Sequence, residues 1–152
     1  MRRNCDMGGS RGSAWIWWAL ALAYPAFLLI ASVRPEFGAE ATRAFIEKIL
    51  PHLDPSQVHV VVVAFRKACH FLGYGFFAIV LANAIHTLRK GVRHRKWAVA
   101  SCIIAALIAL GVAVLDEQIQ SVVPHRTGAS RDVALDFLGI VVGMLVKVGR
   151  GF

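Results

Sequence analysis

Four long apolar runs, divided by short stretches rich in charge and proline, set the first expectation for this chain. Trp15 to Val33 holds no charged residue, and at about 1.5 Å per residue it is long enough to cross the hydrocarbon layer as a helix. The second run is expected to span 66–87, the third 97–115 and the fourth 131–148. The fourth is the most polar, because it contains Asp136 and ends near Lys147. Asp54-Pro55-Ser56-Gln57 reads as an N-cap, a first-turn proline and a capping-box glutamine, so the second helix can begin well before its apolar run. Val60 to Val63 would suit a strand by local preference. An isolated strand in lipid leaves its backbone unpaired, so helix is the better reading.

Between the first two runs the pattern changes. In the segment 36–50, Glu36, Glu40, Arg43 and Glu47 recur at helical spacing, opposite an apolar stripe of Phe37, Ala41, Phe45 and Ile49. This predicts an amphipathic helix lying in the outer interface, or packed as a lid on the bundle. The fold class expected is therefore an all-α integral membrane protein, a compact bundle of four transmembrane helices with an outer interfacial helix. Residues 1–152 are read as a single membrane domain. A secretory signal is the alternative for the first run, but that run exceeds the usual signal core and lacks a clear small-residue cleavage site.

Composition narrows the class. Hydrophobic residues make up 57% of the 152 and charged residues only 17%, against about 25% in soluble chains. That excludes disorder and fibrous repeats and argues against a conventional soluble enzyme. Cys5, Cys69 and Cys102 show no metal-finger or disulfide spacing. The net charge of +8 would in a soluble chain suggest nucleic acid, but its distribution gives another cause. With four crossings, Arg2, Arg3, Arg11, Arg89, Lys90, Arg93, Arg95, Lys96, Lys147 and Arg150 fall on one side against Asp6 alone. The positive-inside rule makes that side cytoplasmic, with both termini, and no nucleic-acid partner is needed to explain the charge. Trp15, Trp17, Trp18 and Trp97 fall at the same ends, where amphipathic rings favour the interface.

The remaining ionisable groups gather at the opposite ends. Arg66, His70 and Tyr74 are spaced four apart, and Lys67 borders the same helical sector. Asp116, Glu117 and Gln120 follow the third run; Arg126 lies in the next loop; Ser130, Arg131 and Asp132 open the fourth helix, with Asp136 one turn further in. A charge in hydrocarbon is costly, so Asp136 is expected to face the bundle or a wet cleft, with Arg66, Lys67 or His70 as its partner.

These residues carry a resemblance. The stretch Arg66 to Tyr74 resembles the RKxxHFxxY form of the first motif of the VanZ-like family, named after a small membrane protein associated with teicoplanin resistance. Asp116-Glu117-Gln118-Ile119-Gln120 is similar to its DExxQ motif. Arg126 to Asp136, with Gly139 and Gly143, resembles its closing pattern, although Asp136 stands where an asparagine would be expected. The resemblance implies a multispan protein of the bacterial cytoplasmic membrane, linked to the cell envelope or glycopeptide resistance. It points to Lys67, His70, Tyr74, Glu117, Gln120, Arg126, Ser130 and Asp132 as motif residues.

Three kinds of function remain open on the sequence. The first is binding of a membrane lipid or lipid-linked anionic precursor at an outward-facing polar site. Arg126 and Lys67 would hold its phosphate or carboxylate oxygens, Tyr74, Gln120 and Ser130 would supply hydrogen bonds, and Arg66 and Asp136 would border the site. The second is phosphoryl or acyl transfer or hydrolysis. There His70 acts as general acid/base, Glu117 or Asp132 orients it, and cations stabilise developing charge. The third is a structural scaffold. No cofactor is expected, and no metal either, because no compact ligand run is present. Gly139 and Gly143 form a GxxxG pattern that suits packing within the monomer better than dimerisation. Oligomeric state is not fixed by the sequence.

Overall fold

The computed structural model describes residues 11–89, 95–123 and 130–150. Five α-helices follow one another: α1 Arg11–Val33, α2 Ala39–Ile49, α3 Pro55–His86, α4 Arg95–Val122 and α5 Ser130–Gly149. Short 3-10 turns at Pro35–Phe37 and Thr87–Arg89 lead into α2 and out of α3. The β-branched run Val60 to Val63 is helical, inside a 32-residue α3. That helix starts where the cap predicts. Asp54 Oδ1 accepts from the Ser56 and Gln57 amides at 2.9 and 3.0 Å, and Gln57 Oε1 accepts from the Asp54 amide at 3.1 Å.

The Ser56 hydroxyl, followed by the Gln57 amide, holds the Asp54 carboxyl below its ordinary range. A depressed folded value makes the cap complete above the unfolded carboxylate pKa of about 3.9. Its contribution disappears as pH falls through the lower, folded value. Amide exchange at Ser56 and Gln57 is therefore expected to lose protection only in strong acid, and Asp54→Asn is expected to remove that pH-dependent step.

Side-chain sizes are arranged for a lipid solvent. The main core holds many small residues, among them Ala21, Ala78, Ala82, Ala84, Ala105, Ala109 and Ala113, packed around Tyr74, Phe77 and Ile140. Large apolar side chains such as Leu22, Leu72, Leu107 and Leu145 stay exposed. A soluble bundle would bury these and be held by their burial; helices in lipid instead associate through close approach of small residues. Three helical stretches are long and apolar enough to cross a membrane: Ala14–Val33, Pro55–His86 and Lys96–Val122. The expectation of four crossings is met by three on this measure. The helix expected at 131–148 is present, but Arg131, Asp132, Asp136 and Lys147 lower its apolarity.

Packing shows why α5 tolerates those charges. Its most extensive neighbour is α3, and glycines let the two backbones meet. A methyl group on Gly75 would lie 2.7 Å from the Gly139 carbonyl oxygen, and one on Gly143 would lie 2.5 Å from that of Gly75. A methyl on Gly139 would collide with the Phe71 carbonyl. The GxxxG face is therefore filled by α3 of the same chain.

Side-chain bonds fix which ends meet. Trp18 Nε1 donates to Thr87 Oγ1 at 3.2 Å, and Trp97 Nε1 to the His86 carbonyl at 3.4 Å, tying the starts of α1 and α4 to the end of α3. At the other end Ser32 of α1 meets Asp116 of α4, and Lys67 of α3 meets Asp132 of α5. The segment expected at 36–50 forms the 3-10 turn and α2. Its buried anchor, Ile46, packs with Val58 and Val62 in a small cluster separate from the main core.

Candidate functional site

The polar end of the bundle is built from one face of α4. Buried Ala98, Cys102, Ala105, Ala109 and Ala113 step along that helix by three or four residues, and the same stripe continues into Asp116 and Gln120. Both are buried, Asp116 with 3% of its surface exposed. A buried carboxylate needs donors. Tyr74 Oη supplies one at 2.9 Å to Asp116 Oδ2, and the Ser32 hydroxyl donates to Asp116 Oδ1. Gln120 Nε2 donates to Ser32 Oγ at 3.3 Å. Three helices are thus joined by one network of side chains.

Beside it lies a second group. His70 Nδ1 is 3.3 Å from Asp136 Oδ1, and only 1% of the Asp136 side chain is exposed. The two atoms meet at ion-pair distance but off the line of a good hydrogen bond. His70 also stacks on Tyr74, with ring centroids 6.3 Å apart, which connects the two groups. Nearer the helix ends, Lys67 Nζ lies 3.7 Å from Asp132 Oδ1, and Arg66 Nη1 donates to the Phe37 carbonyl at 3.2 Å.

Two cavities adjoin these residues. The larger, about 850 Å³, opens between α1, α2 and α3. Phe27, Phe45, Phe65 and Phe76 are among its apolar walls, and Ser32, His70, Tyr74, Asp116 and Gln120 supply its polar lining. The smaller, about 420 Å³, is bordered by α2, α3, α4 and α5 and includes Arg43, His59, Lys67, Arg131 and Asp132. Arg66, His70 and Gln120 line both. The single shared pocket expected from the sequence is thus divided in two, with Tyr74 on the larger cavity and Lys67 on the smaller. The division arises because the side chains of α3 between Arg66 and Tyr74 fan out toward different neighbours.

Other expected residues are placed as follows. Glu117 is buried, with 8% exposed, and lines neither cavity. Among the described residues the carboxylate at ion-pair distance from His70 is Asp136, not Glu117 or Asp132. Of the three partners weighed for Asp136, the structure selects His70. Ser130 is the first residue of α5. Arg126 lies outside the described residues, as do Arg2, Arg3, Lys90 and Arg93. Sequence reasoning missed Ser32, whose only signal is a hydroxyl near the end of an otherwise apolar run. It also missed Arg43 and Arg131 as cavity-lining groups. No cluster of three or more His, Cys, Asp or Glu suited to a metal occurs among the described residues.

An all-α bundle with several apolar crossings and a polar network buried at one end defines a multi-pass membrane protein. The chain belongs to the VanZ/LLP1 family, whose profile matches residues 15–148. No curated protein and no solved structure matches it.

Proposed function

We propose that this protein binds an anionic lipid or lipid-linked envelope precursor at the outer leaflet of the bacterial cytoplasmic membrane. The observation that carries the proposal is the larger cavity, whose aromatic walls meet a buried polar floor. Its volume of about 850 Å³ falls in the range of small-molecule sites, roughly 300–1,000 Å³. An apolar tail would lie along Phe27, Phe45 and Phe76, while Arg66, Lys67, His70 and Gln120 hold the polar head. In this reading α5 is the fourth crossing, with Asp132 and Asp136 turned toward α3, and α2 lies at the interface. Both termini are cytoplasmic, which accounts for the basic residues near them.

Cys69 provides a native reporter, because it is exposed and lines this cavity. In phosphatidylcholine nanodiscs, alkylation of Cys69 by a maleimide is expected to slow at least about fivefold when a tailed ligand such as dodecanol occupies the cleft. Ala41→Trp, which fills the cleft from α2, is expected to remove that protection. Equal alkylation rates with and without added amphiphile would overturn the reading.

One contact favours a second reading, an enzyme of phosphoryl or acyl transfer or hydrolysis. His70 borders both cavities and has the buried Asp136 behind it, an arrangement suited to orienting a general acid/base. His70→Asn would then abolish turnover of a lipid-linked substrate while leaving its binding intact. Loss of binding together with turnover would return His70 to a binding role.

A further inference from the structure

The two cavities differ in charge, and the difference bears on where an anion can sit. Around the larger one, Glu36 and the buried Asp116 face Arg66. A phosphate at that floor would approach a carboxylate that already accepts two hydrogen bonds. Around the smaller one, Arg43, Arg66, Lys67 and Arg131 outnumber Glu40 and Asp132. Coulombic preference therefore sends an anionic group to the smaller cavity and leaves the larger one for an uncharged chain.

The cations there are accessible to a ligand. The Lys67–Asp132 pair is 3.7 Å long with side chains 51% and 29% exposed, and Arg43–Glu47 is 3.9 Å long with both about half exposed. Exposed pairs of this kind contribute little, since solvent screens them, so an incoming anion can compete with the carboxylates for the cations. Arginine also matches phosphate oxygens with its planar fork. The guanidinium groups come from α2, α3 and α5, so an anion between them would bridge three helices.

We propose that the smaller cavity is a phosphate subsite built by Arg43, Lys67 and Arg131, and that a phosphate-headed amphiphile straddles the Arg66, His70 and Gln120 row with its chain in the larger cavity. The proposal rests on the amphiphile-binding reading above and adds the class of head group and the residues that hold it. Arg43, Lys67 and Arg131 together offer more donors than a single carboxylate can accept, which suits a phosphate monoester or diphosphate. Neither Arg43 nor Arg131 touches the cleft that receives the chain, so head and tail recognition are separable.

The test uses the full chain in phosphatidylcholine nanodiscs, titrated with dodecyl phosphate, dodecanol and inorganic phosphate. Dodecyl phosphate is expected to bind about tenfold or more tightly than dodecanol, a difference carried by the head alone. Arg43→Gln combined with Arg131→Gln is expected to bring dodecyl phosphate down to the dodecanol level; Arg43→Lys with Arg131→Lys is expected to keep part of the preference. Raising salt should reduce the preference in the parent protein and leave dodecanol binding as it was.

Equal affinities of the two tailed probes in the parent, or an undiminished preference in the double glutamine variant, would overturn the subsite. Inorganic phosphate binding as tightly as dodecyl phosphate, with the same sensitivity to the arginines, would show a free-anion site and overturn the straddling arrangement. Cys69 protection by dodecanol reads the tail cleft separately. Its failure marks the failure of the amphiphile reading, whereas its persistence with no phosphate preference marks the failure of the subsite alone.

Discussion

Gly139→Ala is expected to be among the most damaging single substitutions in this protein, although it adds only one methyl group. That methyl would be driven into the Phe71 carbonyl of α3, which is backbone and has no rotamer to give way. Overpacking of a close contact costs about 1–3 kcal/mol and sometimes more, and here relief requires moving α5 as a body. Gly143→Ala, facing the Gly75 carbonyl across 2.5 Å, is expected to act in the same direction. Gly111→Ala is the control. Nothing lies within 4 Å of its added methyl, so it should be neutral or gain up to about 1 kcal/mol from helix propensity. Thermal unfolding in nanodiscs checks the order of the three.

The effect should extend to the site. Phe71 directly follows His70 on α3 and Gly139 lies nearly one turn beyond Asp136 on α5, so the glycine crossing sets the separation at which those two side chains meet at 3.3 Å. An α5 displaced outward lengthens that contact and the Lys67–Asp132 pair together. Gly139→Ala is accordingly expected to weaken dodecyl phosphate binding as well as stability. A variant that melts as the parent does would mean that the helices are farther apart than this crossing requires.

The same crossing explains which parts of the site could be read from the sequence. Periodicity showed that Arg66, His70 and Tyr74 share a helical sector, and the polar residues Asp116 and Gln120 continue the small-residue stripe of α4 by steps of three and four. The long helices, alternating in direction so that α3 and α5 run parallel, then brought those sectors to one end of the bundle. Rotation about each helix axis was not legible, because it depends on where backbones can approach. Gly75, Gly139 and Gly143 fix the rotation of α5 against α3, and that choice pairs His70 with Asp136 and leaves Lys67 to Asp132. A pattern along one chain gives no such partner choice.

Ser32 was hidden for a different reason. A hydroxyl in an apolar helix can satisfy itself on the carbonyl one turn back, and Leu28 O is indeed 3.0 Å away, so its presence at 32 carries no demand for an outside partner. Only the arrival of a buried carboxylate from α4 makes it part of a network. The polarity of α5 was legible as an oddity, since Asp136 interrupts an apolar run. Its resolution needed the third dimension, where the packed bundle leaves that side chain 1% exposed, beside His70 of α3.

Asp116→Ala is the second substitution expected to have a large effect. It removes the acceptor of two buried donors at once, Tyr74 Oη and the Ser32 hydroxyl. Each buried polar group left without a partner costs about 1–3 kcal/mol. Ser32 retains the Leu28 carbonyl as an alternative acceptor, whereas Tyr74, with 1% exposed, is shut off from water. Because Asp116 is the acceptor of the Tyr74 hydroxyl, the larger share of the loss is assigned to Tyr74. Asp116→Asn should be milder, because its amide offers one acceptor and a donor to which a rotated hydroxyl can respond.

A double-mutant cycle separates this account from a simple cavity effect. Tyr74→Phe alone leaves one Asp116 oxygen without its donor; added to Asp116→Ala, it should cost little more, because the unpaired hydroxyl is then gone. A coupling of about 0.5–3 kcal/mol between the two positions is expected from thermal or denaturant unfolding. Additive losses would mean that the hydroxyl and carboxylate do not depend on each other. The cleft supplies an independent readout: with Asp116 replaced by alanine its floor loses a fixed negative charge, so the preference of the larger cavity for an uncharged chain should relax. In the Arg43→Gln, Arg131→Gln background, Asp116→Ala should then make dodecyl phosphate protect Cys69 more strongly relative to dodecanol than it does with Asp116 in place, a gain that loss of stability alone would not produce.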